Sequence, residues 1–317
     1  MNGTKTCGKR NDKRGLLTPK QKTKLQRWLF IGTFLAFPVI NFCIFYVYVN
    51  FDSFLMAFQR PVLGQGFGAT EWSFENFRTI WKLLSISEGG ALFGAFVNTV
   101  LFFLAGMLIG LPLSVLMSYF IYKKIKGYKL FRFVTYLPNI ITSSALVILF
   151  KNAIGPGGPL NALMGEAYVD PITVNETAIW MIIFYSVSFG FGTNLIVLNG
   201  AMNSIDKETL EAAEIDGCNW FKELIYIVIP AIWPTVSTVI ILATAGFLGS
   251  TGPILAFTKG ANGTMTLSFY IYQLVSGVGT GGKQDVYLAS AIGVIMTIIS
   301  FPLALLVKKL VYGKEDK

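Results

Sequence analysis

The sequence predicts an all-α, polytopic membrane protein with six transmembrane helices. Three observations carry this. Of 317 residues, 53% are hydrophobic before Gly is counted and only 14% are charged, where an average soluble domain has about 25% charged residues. Six long stretches hold no charge at all: Leu29–Phe51, Ala91–Tyr122, Phe133–Phe150, Thr177–Ile205, Leu224–Thr258 and Val286–Val307. A helix needs about 20 apolar residues to cross the bilayer core, and backbone groups in lipid must be satisfied within the segment, so these spans should be helical. Finally, Lys and Arg are spread unevenly over the connecting segments. With a cytoplasmic N-terminus and six spans, 20 Lys/Arg fall inside and 6 outside, while the acids split 9 and 8. A basic bias without an acidic one is the positive-inside pattern. The net charge of +9 therefore reads as membrane orientation, with both termini cytoplasmic, and no nucleic-acid partner is implied.

In chain order, residues 1–28 form a basic cytoplasmic tail, followed by a first span at 29–50 that contains Pro38. This apolar run is too long for a cleaved leader, and bulky Tyr46, Tyr48 and Phe51 stand where small residues would be needed. Residues 51–90 form an outer segment whose Trp72, Phe74, Phe77 and Trp81 suit the membrane interface. Span two covers about 91–119, and a basic loop, Tyr122 to Arg132, leads to span three at about 133–151. An outer loop follows with the turn cluster Gly155-Pro156-Gly157-Gly158-Pro159. Span four is about 177–200, span five about 227–248 and span six about 286–308, with residues 312–317 as a cytoplasmic tail. The outer or re-entrant segment 249–285 is rich in Gly and Thr. Pro38, Pro112, Pro138, Pro230, Pro234 and Pro302 fall in or beside five of the spans, and proline frees a carbonyl and bends a membrane helix.

Several chemistries are excluded. The chain has no histidine, which removes Ser-His-Asp and Cys-His mechanisms, and Cys7, Cys43 and Cys218 have neither a disulfide framework nor metal-ligand spacing. The run Gly277-Val278-Gly279-Thr280-Gly281-Gly282-Lys283-Gln284 nearly spells a P-loop. Gln284, however, stands where Ser or Thr must hold magnesium, and no strand precedes it. The sequons at Asn175 and Asn262 are discounted. No carboxylate pair lies inside a span, as an ion-coupled transporter would need, so driving energy would enter from elsewhere.

The informative segment is 206–226. Asp206 precedes strong helix formers and can cap a two-turn helix, Glu208 to Asp216. Ala212 and Ala213 leave a small surface open to close approach, and Gly217 can take a positive φ, where the helix ends or turns. A second helix then starts near Asn219 and enters span five. Six acids against two bases in residues 206–223 suit a docking knob for a cytoplasmic partner, and suit an ordinary solvated helix equally well.

Glu211-Ala212-Ala213, Asp216-Gly217 three residues on, and Pro230 thirteen after the glycine resemble the EAA signature of ABC-importer permeases. The Asp-Gly form with Phe221 resembles the carbohydrate branch, the maltose- and glycerol-phosphate-type permeases. Asn98-Thr99, Phe131-Arg132 with Tyr136-Leu137-Pro138, Phe257-Thr258-Lys259-Gly260 with Thr264-Met265-Thr266, and Tyr287-Leu288-Ala289-Ser290-Ala291 are similar to further family stretches. The resemblance covers about residues 91–311, a five-helix core of type I (MetI-like) permease architecture. The sequence departs from it at Asp206, where the family has Pro, at Cys218, where it has Ala, and at Gly260-Ala261-Asn262, where it has Gly-Gly-Pro.

The resemblance implies a membrane subunit, not itself an enzyme, that pairs with a second related permease. Two cytoplasmic subunits would bind and hydrolyse ATP, and an extracytoplasmic binding protein would deliver a sugar. It implies that Glu211, Ala212, Ala213, Asp216 and Gly217 couple to the ATPase, with Glu211 in direct contact and Gly217 permitting the bend. It places sugar contacts at Ser186, Gly190, Thr193, Phe247 and Ser250, with Asn194 adjacent. Hydroxyl, amide and aromatic groups suit a sugar, and small polar residues also simply pack membrane helices. No metal or catalytic residue is implied. The alternatives are a permease of the same superfamily for amino acids, peptides or another small solute, and a secondary transporter.

Overall fold

In a computed structural model of the chain, the structure describes residues 19–61, 70–85, 90–165, 168–190, 192–279 and 281–312. Most of the expected N-terminal tail, up to residue 18, and the C-terminal tail beyond Tyr312 lie outside the described residues. The chain divides into two units, residues 1–55 and 56–317.

The first unit is one helical run. Helix α1 (Pro19–Phe42) passes through a wide π turn (Cys43–Tyr48) into α2 (Val49–Met56). The apolar stretch Gln26–Met56 has 31 residues, about 46 Å at 1.5 Å per residue, enough to span a ~30 Å core with length to spare. Pro38 sits inside α1 without breaking it.

The second unit begins with a short antiparallel ribbon, β1 (Gln59–Pro61) with β2 (Thr70–Trp72), in which Arg60 faces Glu71. The ribbon is an addition to the all-α expectation and does not alter the class. Helix α3 (Glu75–Leu84) follows and buries Asn76 and Ile80. Trp72, Phe74 and Trp81 are exposed as the interfacial reading expects, whereas Phe77 packs with Phe58 and Phe74.

Four further spans follow: Ala91–Tyr122, Asn175–Met202, Trp220–Gly249 and Val286–Tyr312. They comprise α4 (Ala91–Ala105) with α5 (Leu111–Tyr122), then α9 (Asn175–Gly190) with α10 (Gly192–Met202). The third is built from α12 (Trp220–Glu223) and α13 (Ile229–Gly246), and the last is α16 (Val286–Tyr312). At most 35% of any of these spans is buried, so their large apolar outer faces suit lipid contact. Two of the prolines explain local irregularity. Pro112 and Pro230 each stand just after a π turn, Gly106–Gly110 and Leu224–Val228. A proline cannot donate to the carbonyl four residues back, and widening of the preceding turn accommodates the loss.

The span expected at about 133–151 contains a break. It is not one straight helix but a broken one: α6 (Tyr128–Ile140) stops, and the run Ser143–Met164, holding α7 (Ser143–Ile154) and α8 (Pro159–Met164), leaves it at 108°. Pro138 weakens the end of α6, Ile141 is extended with ψ of 140°, and Thr142 also leaves the helical region with ψ of 136°. The apolar run signals depth in the membrane; it does not signal straightness.

The segment 249–285 carries α14 (Ile254–Phe257) and α15 (Leu267–Ser276). The Gly-rich run that resembled a P-loop follows helix α15 rather than a strand, and Gly277, Gly279, Gly281 and Gly282 all have positive φ. It is a turn.

Polar side chains fix the helices where apolar packing alone would let them slide. Buried Ser118 donates to the Leu195 carbonyl at 3.3 Å, joining α5 to α10. At the opposite end, Asn98 donates to the carbonyls of Gly263 (2.7 Å) and Met265 (2.8 Å). Buried Thr99 accepts from Leu267 N–H at 3.0 Å, satisfying an orphan donor at the start of α15. Asn262 adopts a positive φ of 54° and donates to Ile172 O at 2.8 Å, so its amide serves the loop. The pair Asn98-Thr99 and the loop 258–267, remote in sequence, thus form one unit. Asn98→Ala removes both hydrogen bonds and is expected to cost about 1–3 kcal/mol, read as a lower unfolding temperature in detergent with faster proteolysis within 258–266.

Candidate functional site

Helix α11 (Lys207–Ile215) lies between spans four and five. The Asp206 carboxylate accepts from Glu208 N–H at 3.2 Å and caps its start. At its other end Cys218 N–H donates to Ala213 O (2.9 Å) and Gly217 N–H to Glu214 O (3.1 Å), with Gly217 at φ +71°. This pair of bonds is a Schellman stop, which favours glycine at that position. The helix is amphipathic across short range. Leu210 and Ala213 are buried, and Leu210 joins an apolar cluster with Leu111, Val115, Tyr119, Leu198, Met202, Leu224 and Ile232. Glu208, Glu211, Ala212 and Ile215 fall on the other face and are exposed, Ile215 to 86%. Of the five residues assigned to coupling, Glu211, Ala212, Asp216 and Gly217 are accessible. Ala213 is not: its three-residue spacing from Leu210 turns it toward the bundle.

A charged clamp holds this helix in place. Lys123 follows the last turn of α5, and its ammonium lies 2.8 Å from Glu214 Oε1 on α11 and 2.9 Å from Glu223 Oε1 at the head of span five. Glu223 is only 2% exposed. Its contact is an ion pair off the hydrogen-bonding axis, whereas the Glu214 contact is also a hydrogen bond. Burial alone would pull the Lys123 ammonium down, but hydrogen bonding to Glu214 and the adjacent charge of Glu223 outweigh it and hold it above the usual lysine range. The hydrogen bond from Lys123, with its charge, holds the exposed Glu214 carboxyl below its ordinary value. Buried Tyr119, one turn before Lys123, donates to Trp220 O at 3.3 Å. The clamp therefore joins α5, α11 and the start of span five. Sequence reading counted Lys123 as one more basic loop residue and missed the pair. The available signal was Glu223 itself, an acid directly abutting the apolar run that starts at Leu224.

The residues proposed for a sugar gather around cavities in the middle of the bundle. Ser186, Asn194, Phe247 and Ser250 line one of about 400 Å³, with Thr99 and Phe102. Ser186 and Gly190 line another of about 620 Å³, with Asn139, Tyr185 and Thr251, and Ser186, Gly190 and Asn194 share a small space of about 100 Å³. Ser186 borders all three, and its buried hydroxyl has no partner among the described residues, which leaves a polar atom for a bound molecule or water. Phe247 is buried against Phe103, ring centroids 4.9 Å apart. Thr193 departs from the expectation: it is exposed and lines none of these spaces. Asn139 and Thr251 were not singled out in the sequence, because only the break after α6 and the turn after span five bring them inward. An added Cβ at Gly192 would fall 1.6 Å from Asn139 Nδ2, so Gly192 leaves the room that the Asn139 amide occupies.

A helical membrane bundle with largely apolar cavities that carry a few hydroxyl and amide groups, and with a clamped acidic helix between two spans, is a framework suited to a solute permease. The sequence matches the family described as binding-protein-dependent transport system inner membrane component over residues 90–312, and the chain belongs to that family. It is similar to a probable ABC transporter permease protein, YesP, of Bacillus subtilis, 26% identical over 80% of this chain and 81% of that one. It is also similar to the lactose transport system permease protein LacF of Rhizobium radiobacter, 30% identical over 57% of this chain and 64% of LacF. Against the maltose/maltodextrin permease protein MalF of Vibrio vulnificus it is 27% identical over 73% of this chain, which spans 46% of MalF. In architecture it resembles a chain of a bacterial ABC transporter involved in the import of the acidic polysaccharide alginate. The TM-score is 0.75 with 21% identity, over 92% of this chain and 98% of that one, so the two share the MetI-like fold.

Removal of the clamp cation should be costly. Lys123→Met strands the buried Glu223 charge and is expected to destabilise by about 3–5 kcal/mol, whereas Lys123→Met with Glu223→Met should regain most of that loss, by thermal unfolding in detergent. The raised Lys123 pKa contributes stability that is fully present below the unfolded lysine value of about 10.4 and is lost as pH rises through the higher folded value. The unfolding temperature of the wild type, relative to the double variant, should therefore hold from pH 7 to 9 and fall at stronger alkalinity.

Proposed function

We propose that this chain is one of two related membrane subunits of an ATP-driven importer that carries a carbohydrate. In this reading two cytoplasmic ATPase subunits supply the energy and an extracytoplasmic binding protein delivers the solute. Both termini, α11 and the α5–α6 turn lie in the cytoplasm, consistent with the Lys/Arg bias. The observation that carries the proposal is the exposed Glu211-Ala212 face on a helix clamped by Lys123 to two spans. A groove in an ATPase subunit would receive that face, with Glu211 as the charged contact and Gly217 setting the exit angle. Movement of the ATPase pair would then pass through Leu210 and Lys123 into spans two and five. The central cavities would open alternately to each side.

Carbohydrate is favoured over other solutes by the transport systems to which the relatives belong. These include lactose and maltose/maltodextrin systems and an arabinooligosaccharides transport system permease protein of Bacillus subtilis. The cavity chemistry agrees: Ser186, Asn194 and Ser250 offer hydroxyl and amide groups, and Phe247 an apolar ring, a mixture that suits hydroxyls and C–H faces. Asn194→Leu and Ser186→Ala are each expected to raise the apparent KM for the solute about two- to tenfold, the worth of one hydrogen bond, with ATPase binding unchanged. The assembly is tested by expressing the chain with its genomic neighbours and co-purifying them in detergent. The wild type should bring down a second permease and an ATPase, and Glu211→Lys with Gly217→Pro should lose the ATPase but keep the permease. A wild type that purifies alone and moves solute without ATP would establish a secondary transporter instead.

A further inference from the structure

The reversal between α5 and α6 takes only Lys123 to Gly127, with positive φ at Lys124 (51°) and Gly127 (86°). So tight a turn separates the two helix faces and leaves a groove of about 650 Å³. Its walls are Phe120, Ile125, Tyr128, Leu130, Phe131 and Val134. Leu130 is 70% exposed and Val134 55%, so none of the described residues fills it. Lys126 lines the groove, and Lys124 and Lys129 stand two and three residues from Lys126 in sequence; all three are exposed and form no ion pair among the described residues. Arg132 lies over the Tyr136 ring. No Asp or Glu occurs in the sequence between Glu88 and Glu166, and the two acids that reach this region, Glu214 and Glu223, are taken by Lys123. The groove lies at the end of the apolar span Ala91–Tyr122, and the ends of such spans meet the headgroup region of a bilayer.

We propose that this groove binds a phospholipid with a net negative headgroup, one acyl chain lying along Phe120, Leu130 and Val134 and the phosphate meeting Lys124, Lys126 and Lys129. The apolar floor explains why a free anion would not suffice, and the unpaired lysines explain why a zwitterionic lipid would bind more weakly. Each lysine near a lipid surface contributes about fivefold to the preference for an anionic headgroup. The site does not depend on which solute is transported, and it sits one residue from Lys123, so an occupied groove would brace the clamp.

The full chain, purified in detergent, is incubated with an equimolar mixture of phosphatidylglycerol and phosphatidylcholine, and retained lipid is counted by native mass spectrometry. Phosphatidylglycerol is expected to be enriched. Enrichment should fall about fivefold for each lysine removed in the series Lys126→Gln, Lys126→Gln/Lys129→Gln and the triple variant with Lys124→Gln. The triple Lys→Arg variant should keep it, which separates charge from folding, and glycerol 3-phosphate, with the headgroup but no tails, should not displace the lipid. Equal retention of the two lipids by wild type, an undiminished enrichment in the triple Gln variant, or displacement by glycerol 3-phosphate would each overturn the proposal.

Discussion

The organisation of this protein rests on one buried carboxylate. Glu223 stands at the mouth of span five with 2% of its surface exposed, where an uncompensated charge costs several kcal/mol. Its only ion-pair partner among the described residues is Lys123, which also reaches Glu214 on α11. The electrostatic requirement of one residue thus obliges three elements to meet: the end of α5, the short acidic helix and the head of span five. Leu210 and the apolar cluster around it complete the joint. A two-turn helix has little stability alone, since nucleation is unfavourable at that length. Its cap at Asp206, its Schellman stop and this joint hold it together.

Much of the architecture was legible in the sequence because membrane physics is unforgiving. Charge-free runs of the length of Ala91–Tyr122 have one economical explanation, and the cap and stop of α11 were readable from Asp206 and Gly217. The break in span three was not. Apolar composition is the same for a straight helix and for two helices meeting at 108°, and Pro138 alone is often accommodated, as Pro38 and Pro302 are within α1 and α16. Ala213 was misplaced for a related reason. An alanine pair reads as a small surface, but which alanine faces outward depends on the phase of the helix against Leu210. Long-range polar pairs such as Lys123 with Glu223, or Asn98 with Met265, join residues up to 167 positions apart, and no local pattern marks them.

The cavities occupy the places where regular helix fails. Asn139 precedes the break after α6, Thr251 and Ser250 follow the end of span five, and Gly106 belongs to the π turn of span two. Irregular backbone in a membrane is tolerated where it faces protein or a water-filled space, so the same departures that bend the spans also shape the central space. In the proposed importer, bends at both ends of these helices let the space change its opening without unfolding the bundle, and the clamp sets where the force enters.

In the proposed importer the Lys123 joint carries movement from the acidic helix to the spans. The most direct measurement is the ratio of solute imported to ATP hydrolysed by the complete transporter in liposomes, for wild type, Lys123→Arg and the paired Lys123→Met with Glu223→Met. The paired variant should assemble with its ATPase and hydrolyse ATP while import per ATP falls, and Lys123→Arg should retain the wild-type ratio. An assembled paired variant with an unaltered ratio would contradict that role of the joint.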